Sequence, residues 1–209
     1  MRVWRCRLGR RTLAYFTEYE TGLIGTLVLA SNGEQLDGCW FDNDRFFGSG
    51  IAGVPQRCDN LPIFRQARAW LDRYFAGEAP DPRGLPLGGS PTQFQLRVRE
   101  AMLDIPYGQT TTYGAIAKRI QAETGRRQSA QAVGGAVGRN QLCVIVPCHR
   151  VVGANGDLTG FGGGIDTKIK LLEHEQAMRA GFMRPTRGTA LVGVENASSI
   201  WGDGASASE

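Results

Sequence analysis

The chain has 209 residues, is 42% hydrophobic, and carries 24 Lys and Arg against 20 Asp and Glu, a formal net charge of +4. That composition buries one sizeable core or two modest ones, and the mild charge by itself names no partner. No apolar run is long enough to span a bilayer and no N-terminal apolar segment resembles a secretory signal, which points to an intracellular chain with no membrane partner.

Taken in chain order, Arg2, Arg5, Arg7, Arg10 and Arg11 crowd the start. They read as a solvated surface rather than a transit peptide, because Val3, Trp4 and Leu8 look like the beginning of a strand. Residues 23–30 form an apolar run after Gly22, and Cys39-Trp40-Phe41 form a second after Gly38. Asn32-Gly33 between them is a hairpin signal, since both residues tolerate positive φ. Residues 63–75 place Ile63, Ala67, Trp70, Leu71, Tyr74 and Phe75 near helical spacing, and Gly77 stops the helix. Residues 79–91, rich in Pro and Gly, read as a linker or long crossing loop and as a domain boundary.

The second half opens on Thr92, an N-cap for a helix over 93–103 with Phe94, Val98, Met102 and Leu103 as its apolar stripe. Pro106-Tyr107-Gly108 breaks the chain. Thr112 caps a short helix through Tyr113, Ile116, Ala117 and Ile120, and a turn with Gly125 leads to a second short helix from about Ser129 to Val137. Two short helices flanked by Lys118, Arg119, Arg126, Arg127, Arg139 and Arg150 fit a helix-turn-helix whose basic residues face phosphates. Ala130, Ala132, Gly134, Gly135, Ala136 and Gly138 leave the second helix almost bare. Each helical glycine costs about 1 kcal/mol against alanine, and small residues let a backbone approach another surface closely, whether a neighbouring helix or a nucleic-acid groove.

Residues 142–146 are apolar and β-branched and read as a buried strand ending at Pro147. Cys148, His149 and Arg150 follow. Neighbours on a strand face opposite ways, so cooperation between Cys148 and His149 requires the chain to leave strand geometry at Pro147. A thiolate is the reactive form of cysteine, an imidazole can take its proton, and a carboxylate can orient the imidazole. A helix expected over 168–177, with Ile169, Leu172 and Gln176 or Ala177 on one stripe, supplies Glu173 and Glu175 as candidates. The alternative is that Cys148 is a small core hydrophobe and His149 a satisfied core residue. The five cysteines (Cys6, Cys39, Cys58, Cys143 and Cys148) are odd in number and widely spaced, which argues against a disulfide framework. They contain no Cys-x-x-Cys pair, so zinc would need Cys6, Cys39 and Cys58 to converge in space.

Ile145-Val146-Pro147-Cys148-His149-Arg150-Val151-Val152 resembles the active-site signature of the methylated-DNA–protein-cysteine methyltransferases. Ser90-Pro91-Thr92-Gln93-Phe94-Gln95 resembles the start of that family's catalytic domain. Ile105 through Gly114, Ala132 through Val137, Thr159 through Gly164, and Leu171 through Glu175 resemble its pre-helix segment, recognition helix, pocket loop and closing helix. The resemblance runs from about Phe64 to Glu175. It implies an α+β fold: a ribonuclease H-like sheet-plus-helix domain over 1–87 with the linker at about 79–91, a helical domain with a winged helix-turn-helix over 92–185, and a tail over 186–209 with disordered last residues. It implies repair of O6-alkylguanine, and of O4-alkylthymine as a further substrate, by irreversible transfer of the alkyl group to Cys148 after nucleotide flipping. His149 is then the base, acting through a water, Glu175 its orienting partner, and Asn140 a support for the turn before Cys148. Tyr113, Val137, Val151, Leu158, Phe161 and Gly162 line the base pocket, with the carbonyls of Cys148 and Val151 accepting the guanine amine. Thr112, Tyr113, Ala130, Gln131, Ala132, Gly134, Gly135, Arg139, Arg126 and Arg127 bind DNA. The implied partner is double-stranded DNA held through the minor groove, where little sequence is readable, by a monomer of cytoplasmic, nucleoid or nuclear location, with no cofactor and no metal.

The sequence departs from the family pattern in places. Gln131 stands where the family has an arginine that fills the gap left by the extruded base, so Gln131, or Arg126 or Arg127 from the turn, takes over that part. Phe161 stands where some members have tyrosine, and Gln141 and Cys143 replace prolines. Two rival readings stay open here. One is a non-catalytic lesion-binding protein of the same fold, against which Cys148 argues. The other is a Cys-His small-molecule transferase or hydrolase, which would need an oxyanion hole. A methylation-sensing activator needs an upstream zinc segment for which the chain lacks the cysteine spacing.

Overall fold

The computed structural model describes residues 14–185; the strand expected near Val3 and the tail from 186 lie outside the described residues. The first half is built on a four-stranded sheet of order β3-β2-β1-β4. Strands β1 (Tyr15–Glu20), β2 (Thr26–Ser31) and β3 (Leu36–Phe41) run antiparallel, and β4 (Gln56–Arg57) pairs parallel with β1. The strand expected over 23–30 starts later because Gly22 and Gly25 take φ of 69° and 83° and belong to the preceding turn. At the β2–β3 turn Gly33 takes φ 104°, and the Asn32 side-chain oxygen accepts from Glu34 N–H and Gln35 N–H, both at 2.9 Å. An Asn side chain that bonds the backbone two residues on is a turn device in itself.

Helix α1 (Pro62–Phe75) begins with proline at its first turn, where the missing N–H is harmless, and buries Ile63, Phe64, Ala67, Trp70, Leu71 and Tyr74 in the core. Phe75 is only half-buried. The Pro/Gly stretch that follows is a pinned crossing loop. Leu36 N–H donates to Pro86 O at 2.8 Å, Gly88 N–H to Leu36 O at 2.9 Å and Gly89 N–H to Asp37 Oδ1 at 2.9 Å, so the loop runs along β3.

Helix α2 (Gln93–Leu103) starts with a capping box: Thr92 Oγ1 accepts from Gln95 N–H, and Gln95 Oε1 accepts from Thr92 N–H at 2.8 Å. Thr112 and Ser129 cap α3 (Tyr113–Thr124) and α4 (Ala130–Val137) by their side chains alone, accepting from Ala115 N–H and Ala132 N–H. Between them Gly125, at φ 68°, ends α3 in the left-handed conformation. Two-residue strands β5 (Thr111–Thr112) and β6 (Val151–Val152) pair parallel.

Two expected elements differ here. Residues 142–146 are buried but form no strand; only Cys39 and Leu142 make a bridge, with Cys143 N–H donating to Cys39 O at 2.8 Å. The last helix, α5, is Ile165–His174 rather than 168–177. Gln176 at φ 54° ends it, and Glu175 is its C-cap. The described halves share one apolar core, from Tyr15 and Phe41 on the sheet side through Val98 and Ile116 to Val151 and Leu171. Gly163 lets them meet: a Cβ there would fall 2.3 Å from the Phe41 ring. Among the described residues no helix is long and apolar enough to cross a membrane. Cys58 is disulfide-bonded, although the odd count and wide spacing of the cysteines argued against a disulfide framework, while Cys39, Cys143 and Cys148 are free.

Candidate active site

Cys148 opens a single 3-10 turn, Cys148–Arg150. Two γ-turns deliver it. Ile145 N–H donates to Cys143 O at 2.9 Å across Val144, whose φ is 70°, and Cys148 N–H donates to Val146 O at 2.8 Å across Pro147, at φ −79° and ψ 64°. The first has the strained hand and the second the relaxed one. A β-branched residue at positive φ costs on the order of 1–3 kcal/mol and persists only when its surroundings enforce it. Burial of Val144 and the Asn140 side chain do so here. Asn140 Nδ2 donates to Val146 O at 3.0 Å, and its Oδ1 accepts from Leu142 N–H at 3.2 Å.

The turn places His149 inside the molecule with no exposed surface. Its Nε2 lies 2.7 Å from Glu175 Oε1. Glu175, itself buried, also accepts from Arg150 Nε and Nη2 at 2.8 and 2.9 Å, from Tyr74 OH at 2.7 Å, and from Gly108 N–H at 3.4 Å. Burial alone would raise the carboxyl, but the bonds and charges of His149 and Arg150 hold it well below the usual carboxylate range. An ionised carboxylate can only accept, so Nε2 carries the ring proton and Nδ1 keeps its lone pair. Nδ1 has no hydrogen-bond partner in the protein. Burial also pushes the His149 pKa down, so the ring is neutral near pH 7 and free to act as a base.

Cys148 is 3% exposed. The neighbouring Cys143 thiol holds its pKa below the ordinary thiol range; Asn140 and the Lys168 ammonium act in the same direction, against burial and the Asp44 charge. Val137, Val151 and Phe161 lie in the same core cluster as Cys148. Leu158 does not; it packs in a second small cluster with Val152, Leu172 and Ala177. Tyr113 is buried, and its hydroxyl donates to Thr159 O at 2.8 Å. The carbonyls of Cys148 and Val151 already accept one bond each, from Val151 N–H and from Lys168 Nζ at 2.6 Å. A second lone pair remains on each.

The residues expected to bind DNA share an outer surface. Ala130, Gln131, Ala132, Gly135 and Arg139 are exposed on or just after α4, Gly134 and Thr112 are half-buried, and Arg126 and Arg127 are exposed on the turn. Val133, Ala136 and Val137 form the buried side of α4. A cleft of about 660 Å³ lies beside this helix, with Gln131, Gly134, Gly135 and Arg139 on one side and Phe161 and Gly162 among its other lining residues. Asn43, Arg45 and Phe46, from the loop after β3, complete it, and the sequence had singled out none of them. Cys148 does not line the cleft. Arg150, expected to face phosphates, is buried on Glu175 and on Ile105 O, and Arg119 is tied to Asp104 and Glu123.

Residues 93–177 match the family model described as the DNA-binding domain of 6-O-methylguanine DNA methyltransferase. The methylated-DNA–protein-cysteine methyltransferase of Haemophilus influenzae is 37% identical over 79% of this chain and 88% of its own length. The protein belongs to that family. The same-named protein of Mycobacterium leprae is 41% identical over 73% of this chain and 87% of its own. The crystal structure of Mycobacterium tuberculosis OGT in complex with DNA superposes with a TM-score of 0.63 at 40% identity, covering 78% of this chain and 92% of that one.

In this methyltransferase, sequence reasoning missed three residues that hold the site together: Tyr74, Arg150 as a buried group, and Lys168. Lys168 Nζ ties Val151 O to Thr159 O, at 2.6 and 3.1 Å, and burial brings its pKa down to about 8. A lysine on the inner face of α5 is the one signal that pointed to it, since burying an ammonium demands partners.

Proposed function

We propose that the protein repairs DNA by moving an alkyl group from O6 of guanine to Cys148, once per molecule. The observation that carries this is the 2.7 Å bond between His149 Nε2 and Glu175 Oε1. It fixes the tautomer that leaves Nδ1 as proton acceptor one residue from a thiol of lowered pKa. The Cys148 proton passes to His149, relayed by a water. The thiolate attacks the alkyl carbon in line, the S–C bond forms as the C–O6 bond breaks, and the departing guanine takes up a proton. The product thioether is stable, so the protein is consumed.

O6 of a paired guanine is closed to in-line attack, so the nucleotide must leave the stack. Tyr113, Val137, Val151, Phe161 and Gly162 then form the pocket for the everted base. Tyr113 OH exchanges its Thr159 partner for the base, and Leu158 backs the pocket wall. The small outer face of α4 supports close approach to the minor groove. Thr112, Arg126, Arg127 and Arg139 contact phosphates, and Gln131 takes the gap in the stack. We read the sheet half as ribonuclease H-like, α3 and α4 as the helix-turn-helix of a winged domain, and the protein as acting as a monomer. The test is transfer of labelled methyl from an O6-methylguanine duplex. Wild type takes up about one methyl per molecule and stops, and Cys148→Ala takes up none; repeated turnover, or equal labelling of Cys148→Ala, overturns the reading.

A further inference from the structure

Tyr74 stands near the end of α1, in the sheet half, and both of its polar ends reach the close of α5. Its carbonyl oxygen accepts from His174 Nε2 at 2.8 Å, and its hydroxyl donates to Glu175 Oε1 at 2.7 Å. The ring is 1% exposed and lies among other rings: Trp70 stacks on it at 5.6 Å, and Phe75, His174 and Tyr107 pack at 5.1, 5.3 and 6.0 Å. That packing fixes where the hydroxyl lies. Glu175 divides its bonds unevenly. Oε2 accepts from Arg150 Nε at 2.8 Å and from Gly108 N–H at 3.4 Å, whereas three donors meet at Oε1: Tyr74 OH and His149 Nε2, both at 2.7 Å, and Arg150 Nη2 at 2.9 Å. A carboxylate offers about four lone-pair sites, roughly two on each oxygen. Oε1 is oversubscribed, and the tyrosine O–H competes with the imidazole N–H for one atom. The other charged and titratable groups about His149 and Glu175 are bonded elsewhere: Lys168 on α5 donates to Val151 O and Thr159 O, and Tyr107, in the segment before β5, donates to His174 O.

An ionised Glu175 has two effects on the ring it touches. It orients the imidazole, and it favours the imidazolium, which cannot accept a proton from Cys148. Arg150 tempers the second effect by its charge. Tyr74 is neutral and acts only by occupying the oxygen. We propose that Tyr74 is a positioning residue for the alkyl transfer: its hydroxyl pins Glu175 Oε1 at His149 Nε2 and takes up part of that oxygen's accepting capacity, so the carboxylate orients the neutral imidazole without forcing a second proton onto it. Removing the hydroxyl leaves Oε1 to His149 and Arg150 alone and strengthens its hold on the imidazolium. Burial lowers the His149 pKa and Glu175 raises it, and that is the balance on which Tyr74 acts.

The proposal rests on His149 being the base for Cys148, and the test separates the two. The chain has two histidines, so isotopic labelling of the histidine rings gives two sets of magnetic-resonance signals, assigned with His149→Ala. Their pH titration needs no DNA. The pH dependence of single-turnover methyl transfer from an O6-methylguanine duplex is measured beside it. Tyr74→Phe keeps the ring and removes the hydroxyl. It moves the His149 titration and the acid limb of transfer to higher pH by up to about one unit, the worth of one hydrogen bond to a charged group. Above that limb the base is intact, so the plateau rate falls far less than the roughly hundredfold loss of a general base. Trp70→Phe loosens the packing of the same helix end and lowers the melting temperature, but leaves the His149 titration in place. If Tyr74→Phe leaves that titration at its wild-type position or moves it to lower pH, or if Trp70→Phe shifts it equally, Tyr74 is only structural and the proposal is wrong, even though transfer to Cys148 stands. A wild type that transfers no methyl while the ring titration shifts as expected would overturn the assigned reaction instead.

Discussion

Replacing Glu175 with glutamine removes one negative charge from the centre of the site while keeping its shape. In the native protein that carboxylate accepts from His149, Arg150, Tyr74 and the backbone of Gly108. Glutamine offers one oxygen in place of two and turns an N–H toward a donor. If the amide nitrogen faces His149, the ring must accept at Nε2 and carry its proton on Nδ1, which removes the base. General-base assistance is worth roughly 10²–10⁴ in rate, so methyl transfer by Glu175→Gln falls at least a hundredfold. Arg150 keeps Ile105 O but loses its counter-charge while buried. Stripping one partner from a buried pair costs about 3–5 kcal/mol, and the lower end applies because the amide oxygen still accepts. The loss depends on pH. The folded-state pKa of Glu175 is depressed, so its stabilisation is complete above the ordinary carboxyl range and disappears as pH falls through the folded value. Urea unfolding therefore separates wild type from Glu175→Gln fully at neutral pH, and the gap begins to narrow only below about pH 4. A variant that unfolds with the wild type at neutral pH and transfers methyl within about threefold of it would refute the reasoning.

Two further substitutions probe the DNA-binding face. A Cβ on Gly135 would meet only the tip of Arg139, at 3.4 Å, so Gly135→Ala stabilises thermal unfolding by up to about 1 kcal/mol. Gly135→Leu folds, and weakens duplex binding by about tenfold, or 1.4 kcal/mol, in a fluorescence titration; unchanged binding would show that α4 does not enter the groove. Gln131→Arg binds alkylated duplex more tightly and steepens the salt dependence of log K by about one unit, the signature of one added cationic contact. Weaker binding with an unchanged salt slope would rule Gln131 out as the residue in the gap.

The helices were legible because their signals are local. Thr92 with Gln95, Thr112, Ser129 and Gly125 mark ends by their own side-chain bonds or backbone freedom, and α2 begins and ends where its cap and apolar spacing place it. The loop before Cys148 was not legible. Its composition is that of a strand, but the Asn140 side chain and two γ-turns fold it back on itself, and no periodicity encodes that. The end of α5 was misread for a similar reason: Gln176 takes a left-handed conformation that sequence favours in glycine. Cys148, His149 and Glu175 were grouped through a motif resemblance, since spacing alone favoured a buried core cysteine. Tyr74, 101 residues from the carboxylate it serves, and Asp44, 99 residues from Cys143, carry no signature that single-sequence reasoning detects.

The central claim is that Cys148, one of the three free thiols among the described residues with Cys39 and Cys143, accepts the alkyl group. Peptide mass analysis after incubation with an O6-methylguanine duplex tests it most directly. The account predicts a single methyl on the peptide carrying Cys148, at the Cys148 sulfur, with Cys39 and Cys143 unmodified. A methyl on either of those two, or repaired DNA with every cysteine unchanged, would contradict it.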